Sequence, residues 1–315
     1  MVEVGQTLLT VQGKKVGVPS IQVGAKTLIS RGKLLKIAEV MDEEWEEQDS
    51  ATAPEYLIEQ IGKSGLGADV FTFCQQIPDT IPKYPYRIEC GNLAVVCITS
   101  YESWWSDQIT QVSRKNVRRA AKRGVTCKVA AFDDELLSGI VRIYNETPIR
   151  QGRKFWHYGK DLNAVKSINE TFRERADFIG AYYGDSLIGF MKIVYVGEVA
   201  NVMQILSMNE HQDKRTTNAL IAKAVEVCAN RNVKYFVYGN YIYDDNFSSP
   251  LIEFKRRMGF EMIAFPIYFV PLTEWGKVAL KLNLHHGIKR MIPARLAKRL
   301  LKTRANWYKR RLSSE

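Results

Sequence analysis

The residues best suited to chemistry lie within 200–270, where a cation, a histidine and a tyrosine stand in or beside turns. Lys255 can stabilise negative charge, His211 can act as a base near neutral pH, and Tyr243 can donate a proton. Each residue also has a structural interpretation, since a lysine on an amphipathic helix or a polar residue in a turn is often solvated. No Ser-His-Asp set or Cys-His pair is apparent. The sequence therefore favours direct transfer of a group from a donor to an acceptor, without a covalent enzyme intermediate.

The segments that would position these residues switch between strand and helix patterns. In order they are an apolar run at 202–208, a polar stretch at 209–218, a helix-period segment at 220–229, a strand-like run at 235–238, a turn-rich loop at 239–250 and an amphipathic segment that ends at 260. This order predicts a parallel crossover unit that ends in another helix and strand. Such a unit places its ligands where strand ends meet helix starts.

Two motifs in this stretch resemble the GNAT acyltransferase superfamily, and more closely its Fem-type peptidyl and aminoacyl transferase branch. Family members follow the fourth strand with a Q/R-x-x-G-x-G/A loop that opens a helix, and the sequence QDKRTT at 212–217 fills that register. The segment FKRRMGF at 254–260 has the Fem-type pattern, with Lys255 where ordinary acetyltransferases usually have tyrosine. The resemblance covers residues 92–270, and extends to the first 91 by analogy.

The resemblance implies a site for acyl-coenzyme A as co-substrate. The acyl carbonyl would meet backbone N–H groups near Ser207, Met208 and Asn209, and Lys255 would stabilise the oxyanion or a donor phosphate. The loop residues expected to hold the donor are Gln212, Lys214, Arg215, Thr216 and Thr217. Arg215 and Thr217 replace the two glycines that let backbone N–H groups approach a pyrophosphate, so capture by the backbone is expected to be weaker. Arg215 or Lys214 could supply charge instead.

A loop at 145–159 mixes cations with aromatic rings. Arg150, Arg153, His157 and Tyr158 are its candidate substrate-binding residues, because arginine forks bind carboxylates or phosphates and aromatic rings stack on planar groups. A packed surface loop is the alternative interpretation. The basic helix pattern at 103–123 likewise fits either steering of an anionic donor or a solvated helix face.

The charge of the chain is concentrated at its C-terminal end. The net charge is +11, and residues 277–315 hold twelve Lys or Arg against one acid, whereas residues 1–276 hold 33 of each sign. After Pro293 a helical pattern places Leu, Trp and Tyr residues on one side and most cations opposite. This tail could bind an anionic membrane surface or tRNA, or it could dock on the body of the protein.

Cysteine and histidine usage favours no metal. The five cysteines, at 74, 90, 97, 127 and 228, form no C-x-x-C pair, and the four histidines are scattered, so we expect reduced thiols and no metal site. The N-terminus has no basic start followed by an apolar stretch, which favours a soluble, cytoplasmic chain. Peripheral attachment to the inner membrane face stays open through the basic tail.

Together these features predict an α/β protein with a mixed (α+β) sheet in two GNAT-like lobes. Residues 1–100 would form an N-terminal lobe, residues 101–276 the complete acyltransferase lobe and residues 277–315 a basic amphipathic tail. The expected enzyme is an N-acyltransferase that moves an acyl group from acyl-CoA to a small-molecule or peptide amine. Two alternatives remain: an aminoacyl-tRNA-dependent Fem-type transferase, and a catalytically silent GNAT-like module that binds membrane or nucleic acid.

Overall fold

The structure is a computed structural model that describes residues 3–11, 14–45, 53–243 and 246–287. The strands of these ranges are β1 (Gly5–Val11), β2 (Lys14–Val23), β3 (Lys26–Arg31), β4 (Ile37–Val40), β5 (Val70–Cys74), β6 (Arg87–Cys97), β7 (Val125–Ala130), β8 (Ile149–Arg150), β9 (Arg153–Lys154), β10 (Ala176–Tyr183), β11 (Ser186–Val196), β12 (Val199–Ser207), β13 (Tyr235–Val237) and β14 (Glu261–Pro271). The helices are α1 (Pro54–Ser64), α2 (Tyr101–Ser103), α3 (Gln111–Lys122), α4 (Asp134–Asn145), α5 (Leu162–Asn169), α6 (Thr216–Asn230), α7 (Pro250–Arg257) and α8 (Glu274–Lys281).

One sheet of twelve strands runs through the molecule, in the order β1-β2-β3-β4-β5-β14-β6-β13-β12-β11-β10-β7. At the centre of the sheet, each half contributes a strand that pairs with strands of the other half. Strand β14 from the C-terminal half pairs with β5 and β6, and β6 from the N-terminal half pairs with β13 as well as β14. The two lobes therefore share backbone hydrogen bonds across a continuous sheet. The expected domain boundaries at 100/101 and 276/277 stay a prediction.

Each half of the sheet contains one parallel pair joined by a helix. These units are β4-α1-β5 and β12-α6-β13. In the C-terminal half, β7, β10 and β11 precede the unit, with α4 and α5 between β7 and β10, whereas the described part of the N-terminal half has no counterpart of α4 and α5. The predicted α/β fold with a mixed sheet is confirmed, and a complete C-terminal lobe stays a prediction.

The two faces of the C-terminal half are covered by different helices. Helix α6 packs with α3 on a core that includes Ile179, Ala181 and Ile193. Helices α4 and α5 cover the opposite face, around Phe178 and Phe190. Strands β10 and β11 are thus buried on both sides, and β12, which is only partly buried, lies beside this packed centre.

The helix pattern predicted at 103–123 is divided in the structure. The helix expected over 103–123 is interrupted after a π-helical turn at Trp104–Gln108, because Ile109 is extended and the Thr110 hydroxyl accepts the Ser113 N–H to begin α3. Helix α5 ends at Asn169, and Phe172 shortly after it adopts a left-handed conformation with φ 54°. The tail helix expected after Pro293 lies outside the described residues. Within them, no helix is long and apolar enough to cross a membrane.

Candidate functional site

The centre of the candidate site is a fork between two parallel strands. β12 pairs with β13 only from Val199 to Asn201, opposite Tyr235 to Val237. Beyond Asn201, β12 continues to Ser207 beside β11 alone, with an extra residue, Met203, where the β11–β12 register shifts. A bulge of this kind increases local twist and bends the strand away from its neighbour. The diverging strands leave a gap at the carboxyl end of β13.

At the end of β12, the Ser207 and Met208 N–H groups point in different directions. The Met208 N–H donates to the Ile188 carbonyl of β11 over 2.8 Å, so it is occupied. Successive N–H groups of a strand point in opposite directions, so the Ser207 N–H faces the fork. Of the three expected carbonyl-binding positions, Ser207 therefore has the suitable orientation within the strand, and Asn209 follows it in the turn.

The loop at 212–217, which is expected to bind the acyl donor, has at Arg215 the left-handed backbone conformation that glycine adopts most readily. Arg215 adopts the left-handed conformation, with φ 60° and ψ 36°, at the position where the family pattern has its first glycine. α6 begins directly after it, and Asn218 and Ala219 both donate to the Arg215 carbonyl. The N–H groups of Thr216 and Thr217 lie in the first helical turn, where no helix carbonyl is available to them. Replacement of the glycine has therefore not removed the helix-start geometry.

Side chains around this helix start form several contacts. The Ser207 and Thr217 hydroxyls lie 3.3 Å apart and join the fork to α6, while the buried Thr216 hydroxyl has no hydrogen-bond partner in the described structure. The Arg215 side chain is exposed. Gln212 donates to the Asn209 side chain over 3.1 Å. The start of α6 thus places backbone N–H groups, the partly exposed Thr217 hydroxyl and the exposed Arg215 guanidinium on one side of the fork.

Two other predicted loop residues gather around Tyr183. The Lys214 ammonium lies 4.2 Å from the centre of the Tyr183 ring, and the His211 ring lies 5.9 Å from it. The expected base His211 and the expected catalytic Lys255 share no contact in the described structure. The two residues lie in one stretch of the sequence, but in the folded chain they contact different residues.

Lys255 lies on the inner face of α7. Its side chain is fully buried, and Nζ donates to the carbonyls of Tyr238 and Asn240, each over 2.6 Å, at the end of β13. The neighbouring Arg256 and Arg257 are exposed and both pair with Glu253. No carboxylate pairs with Lys255 in the described residues, and burial lowers its pKa to about 8. The solvated-surface interpretation of Lys255 therefore does not fit the structure.

Tyr243 is the one predicted catalytic side chain that Lys255 approaches. Its ring centre lies 5.0 Å from the Lys255 ammonium, and the side chain is half exposed. The phenol lies over Gly239, which has φ 55°, and a Cβ at that position would come within 2.6 Å of the Tyr243 hydroxyl. Gly239 thus supplies both the turn and the space that bring Tyr243 near the ammonium.

A cavity of about 350 Å³ opens beside the fork, between the two lobes. It is lined by residues from the carboxyl ends of β5 and β13, by the amino end of β12 and by Phe265 of β14. Its polar residues are Glu43, Gln75, Gln76, Asn201 and Asn240. Asn240 joins the cavity to Lys255, because its carbonyl accepts from the ammonium. The size and mostly apolar lining are those of a small-molecule site.

Arg150 of the expected substrate loop is held by protein groups. Its guanidinium donates to the Ser207 carbonyl over 2.9 Å and pairs with Glu146 over 2.9 Å, and Glu146 also accepts the Glu210 N–H. Burial lowers the pKa of Arg150, with Glu146 acting in the opposite direction. The Arg150 Nε is buried without a partner in the described structure. Arg150 therefore fixes the loop to the end of β12.

The other three loop residues divide into one buried and two accessible side chains. His157 is buried, its Nε2 lies 3.0 Å from the Gln204 amide nitrogen, and its ring packs on Trp156 and Tyr144. Burial lowers the pKa of His157 to about 4, so the ring is neutral at pH 7. Arg153 and Tyr158 are exposed. The substrate-binding assignment of all four residues stays a prediction.

One cluster in the described ranges has metal-binding residue types, although the sequence predicted none. Glu89, His285 and His286 place their ligand atoms within 4.8 Å of one another. His285 Nε2 lies 2.7 Å from the Glu89 carboxylate, where a tetrahedral zinc would hold the two atoms about 3.4 Å apart. Arg87 shares the same carboxylate oxygen at 3.3 Å. This spacing is that of direct hydrogen bonds.

A second buried lysine was missed by the sequence interpretation. Lys192, in the middle of β11, is 1% exposed and donates to the carbonyl of Asn169 and to the Thr171 hydroxyl at the end of α5. Burial lowers its pKa to about 8. A lysine inside the apolar run of 187–195 was the available signal. The residues that line the cavity carried no such signal, because the fold assembles them from distant segments.

Solved structures share this architecture. The chain is similar to FemX (11% identity, TM-score 0.56, covering 84% of this chain and 88% of that chain). It is also similar to the C-terminal domain of a putative lysylphosphatidylglycerol synthetase from Agrobacterium fabrum (13%, TM-score 0.57, 88% and 87%) and to L-PGS from Bacillus licheniformis (13%, TM-score 0.57, 83% and 86%). The sequence matches no protein-family model and no curated protein.

These similarities define the class of the fold. The chain has the fold of FemX and of the lysylphosphatidylglycerol synthetase domain, and this fold fits the GNAT superfamily, Fem-like branch, that the two sequence motifs predicted. At identities of 11–13%, the comparisons concern the fold, and the chemistry must be argued from the fork, the start of α6 and Lys255.

Proposed function

We propose that this chain transfers an acyl group from an activated donor directly to an amine acceptor at the β12–β13 fork. The amine nitrogen attacks the acyl carbonyl carbon, and a C–N bond forms as negative charge develops on the carbonyl oxygen. The C–S or C–O bond to the leaving group then breaks, and the proton lost by the amine passes to that group. A buried thiol nucleophile finds no support, because burial raises the pKa values of Cys127 and Cys228 to about 12.

The observation that carries the proposal is the buried ammonium of Lys255. A cation without a carboxylate partner is costly inside a protein, and such groups are concentrated at functional sites. Its contacts are the two carbonyls at the end of β13, directly beside the fork. We assign it the stabilisation of the oxyanion or of a donor phosphate, together with the Ser207 N–H. Its position in the Fem-type motif agrees with this role.

The proton transfers are assigned to residues near the same centre. Tyr243 is proposed as the donor to the leaving group, because its half-exposed phenol lies beside the ammonium. For His211 the geometry offers less support, since its ring contact is with Tyr183. The acceptor ammonium can instead lose its first proton to solvent before attack. The second proton, lost after the C–N bond forms, then restores Tyr243 as Tyr243 protonates the leaving group.

We propose acyl-CoA as the donor, with its pyrophosphate at the start of α6. The support is the left-handed backbone of Arg215, which preserves the helix-start geometry that the glycine pattern serves in the family. The N–H groups of Thr216 and Thr217 and the exposed Arg215 guanidinium supply donors and positive charge. Lys214 contributes less in this arrangement, because its ammonium lies over Tyr183.

An aminoacyl-tRNA donor is the second candidate, and the surface of α3 favours it. Lys115, Arg118, Arg119 and Lys122 are exposed and form no ion pair within the described ranges. The end of α3 adjoins the donor loop, since Arg123 donates to the Asp213 carbonyl over 2.7 Å. A row of unpaired cations beside a phosphate site suits a polyanion longer than coenzyme A.

The inter-lobe cavity is the proposed site of the acceptor. The side-chain amides of Asn201 and Asn240 have no hydrogen-bond partner among the described residues and can bind polar groups of a small-molecule or peptide amine. The Glu43 carboxylate, which accepts the Cys74 N–H at 3.0 Å, places negative charge on the cavity wall, and this charge attracts an ammonium. The proposed acceptor is therefore a primary amine small enough for about 350 Å³.

Calorimetric titration with acetyl-CoA tests the donor assignment. Wild-type protein should bind, Arg215→Ala should bind about tenfold more weakly, and affinity should fall as ionic strength rises. Arg231→Ala is the matched control, since this exposed arginine lies at the opposite end of α6. Equal affinity in wild type and Arg215→Ala would remove the guanidinium from the site.

If folded protein does not bind acetyl-CoA, aminoacyl-tRNA becomes the proposed donor. Filter binding with bulk aminoacyl-tRNA should then detect association that Arg118→Gln/Arg119→Gln weakens, with Arg231→Gln as the control. Failure of both donors to bind leaves the silent GNAT-like module. The cytoplasmic location and the partner of the tail remain predictions, because most of residues 277–315 lies outside the described ranges.

A further inference from the structure

Helix α8 is apolar on two sides that lie about 120° apart around its axis, and Glu274, Lys277 and Lys281 occupy the remaining side. Gly276, Ala279 and Leu280 are buried against the body, as a helix on a protein surface requires. The outward side, however, carries Trp275, Val278 and Leu282 at helical spacing, and these side chains are 43%, 46% and 60% exposed. Such a face is normally polar, so its apolar composition calls for a ligand.

The exposed surface extends beyond the helix. The Trp275 indole N–H donates to the Leu34 carbonyl over 2.9 Å, which places the turn at Leu34 beside α8, and the Leu34 side chain is 83% exposed. We call Leu34, Trp275, Val278 and Leu282 the α8 ridge. A tryptophan with its polar edge bound to the protein and its ring half exposed suits a boundary between water and hydrocarbon.

The charges around the ridge are mostly positive. Lys33, Lys36 and Lys281 are exposed, while Glu274 is paired with Lys277 over 2.6 Å. The sequence then continues from Gly287 into a segment with ten Lys or Arg and one acid. An apolar ridge with a cationic rim has the features of a surface that binds anionic lipid bilayers.

We propose that the α8 ridge inserts into the headgroup region of an anionic bilayer and holds the protein on that surface. Two other occupants are disfavoured by charge. The tail that follows would bring further cations against Lys33, Lys36 and Lys281, and a second copy would bring the same three lysines together. An anionic bilayer satisfies both the apolar side chains and the rim, and the predicted apolar side of the tail would add to the same contact.

Co-sedimentation of the full chain with vesicles tests this proposal. Vesicles of phosphatidylcholine with 30% phosphatidylglycerol should bind the protein, pure phosphatidylcholine vesicles should bind much less, and rising salt should weaken binding. Leu282→Ser and Val278→Ser should each lower the partition coefficient about tenfold, since each removes one inserted side chain and no charge. Leu8→Ser is the matched control, because Leu8 is 66% exposed on β1 at the far edge of the sheet.

Three outcomes would contradict insertion of the α8 ridge into a bilayer. Unchanged vesicle binding in the ridge variants would assign any lipid contact to the tail alone. A lower melting temperature with Leu282→Ser, without an effect on vesicle binding, would mean that the tail docks on the ridge. Light scattering that shows a dimer lost in Leu282→Ser would identify a second copy as the occupant. Retained acyl transfer in the ridge variants separates this proposal from the proposed function.

Discussion

Replacement of Lys255 by methionine should change how stability depends on pH. Burial lowers the pKa of Lys255 from 10.5 to about 8, and 2.5 pKa units correspond to about 3 kcal/mol. The folded state therefore holds the ammonium less well than the unfolded chain does. Below about pH 8, burial of the charged ammonium lowers the free energy of unfolding by its full amount. This destabilisation disappears as the pH rises to 10.5.

The comparison of wild type with Lys255→Met isolates this effect, because other titrating groups cancel. The free energy of unfolding of wild type, relative to the variant, should rise by about 3 kcal/mol between pH 8 and pH 10.5. At pH 7 the difference should be small. The variant loses the ammonium cost but leaves the carbonyls of Tyr238 and Asn240 without their donor, at about 1–3 kcal/mol each.

Urea denaturation at several pH values measures the difference, and Lys192→Met provides the matched control. Lys192 is also buried, binds backbone carbonyls and has a pKa of about 8, but it lies under the end of α5. Both variants should show the same pH dependence, whereas Lys255→Met alone should lose turnover, by about 10² or more. A stability difference that stays flat from pH 7 to 10.5 would refute the buried charge. Equal activity losses in the two variants would refute the special role of Lys255.

Two further predictions concern the same site. The kcat/KM of wild type should fall above about pH 8, as Lys255 loses its proton, and a rate that still rises at pH 9.5 would contradict a role for the charged form. Arg215→Gly should raise the free energy of unfolding by about 1 kcal/mol, because glycine adopts the left-handed conformation without strain, and Arg215→Ala should not. Urea midpoints measure both variants, and equal midpoints would contradict the strained backbone.

The sequence predicted the elements of the site better than their surroundings. The crossover unit of β12, α6 and β13 could be predicted because its hydrophobic period changes from 2 to 3.6 and back. Lys255 could be selected by motif, yet its burial could not, since Arg256 and Arg257 beside it have the same charge and opposite exposure. Only the packing of α7 against β13 distinguishes the three cations.

Other features depend on contacts between distant segments. The glycine replacement at Arg215 predicted a weakened backbone site, whereas the loop contacts around α6 hold that residue in the left-handed conformation. His157 and Arg150 were predicted to bind substrate, and in the structure β12 occupies the His157 Nε2 through Gln204 and one Arg150 nitrogen through Ser207. A loop rich in cations and rings can bind a ligand or pack on a sheet edge, and composition alone does not separate the two.

The strand exchange at the centre of the sheet leads to a last prediction. The expected boundary at 100/101 cuts the chain after β6, whose Ala94, Val95 and Val96 are fully buried and which bonds β13 on one side and β14 on the other. Residues 101–315 alone would leave three strand edges uncovered, one of β13 and both of β14, together with the core beneath them. This loss is comparable to the whole stability of a domain, about 5–15 kcal/mol. We therefore expect this fragment to aggregate, and residues 86–315, which retain β6, to be more soluble and to melt with a sharper transition. Thermal melts followed by circular dichroism compare the two fragments. A cooperative transition in 101–315 at the same temperature as in 86–315 would mean that β6 belongs to the N-terminal lobe alone, and the exchange would then have no part in holding the fork in place.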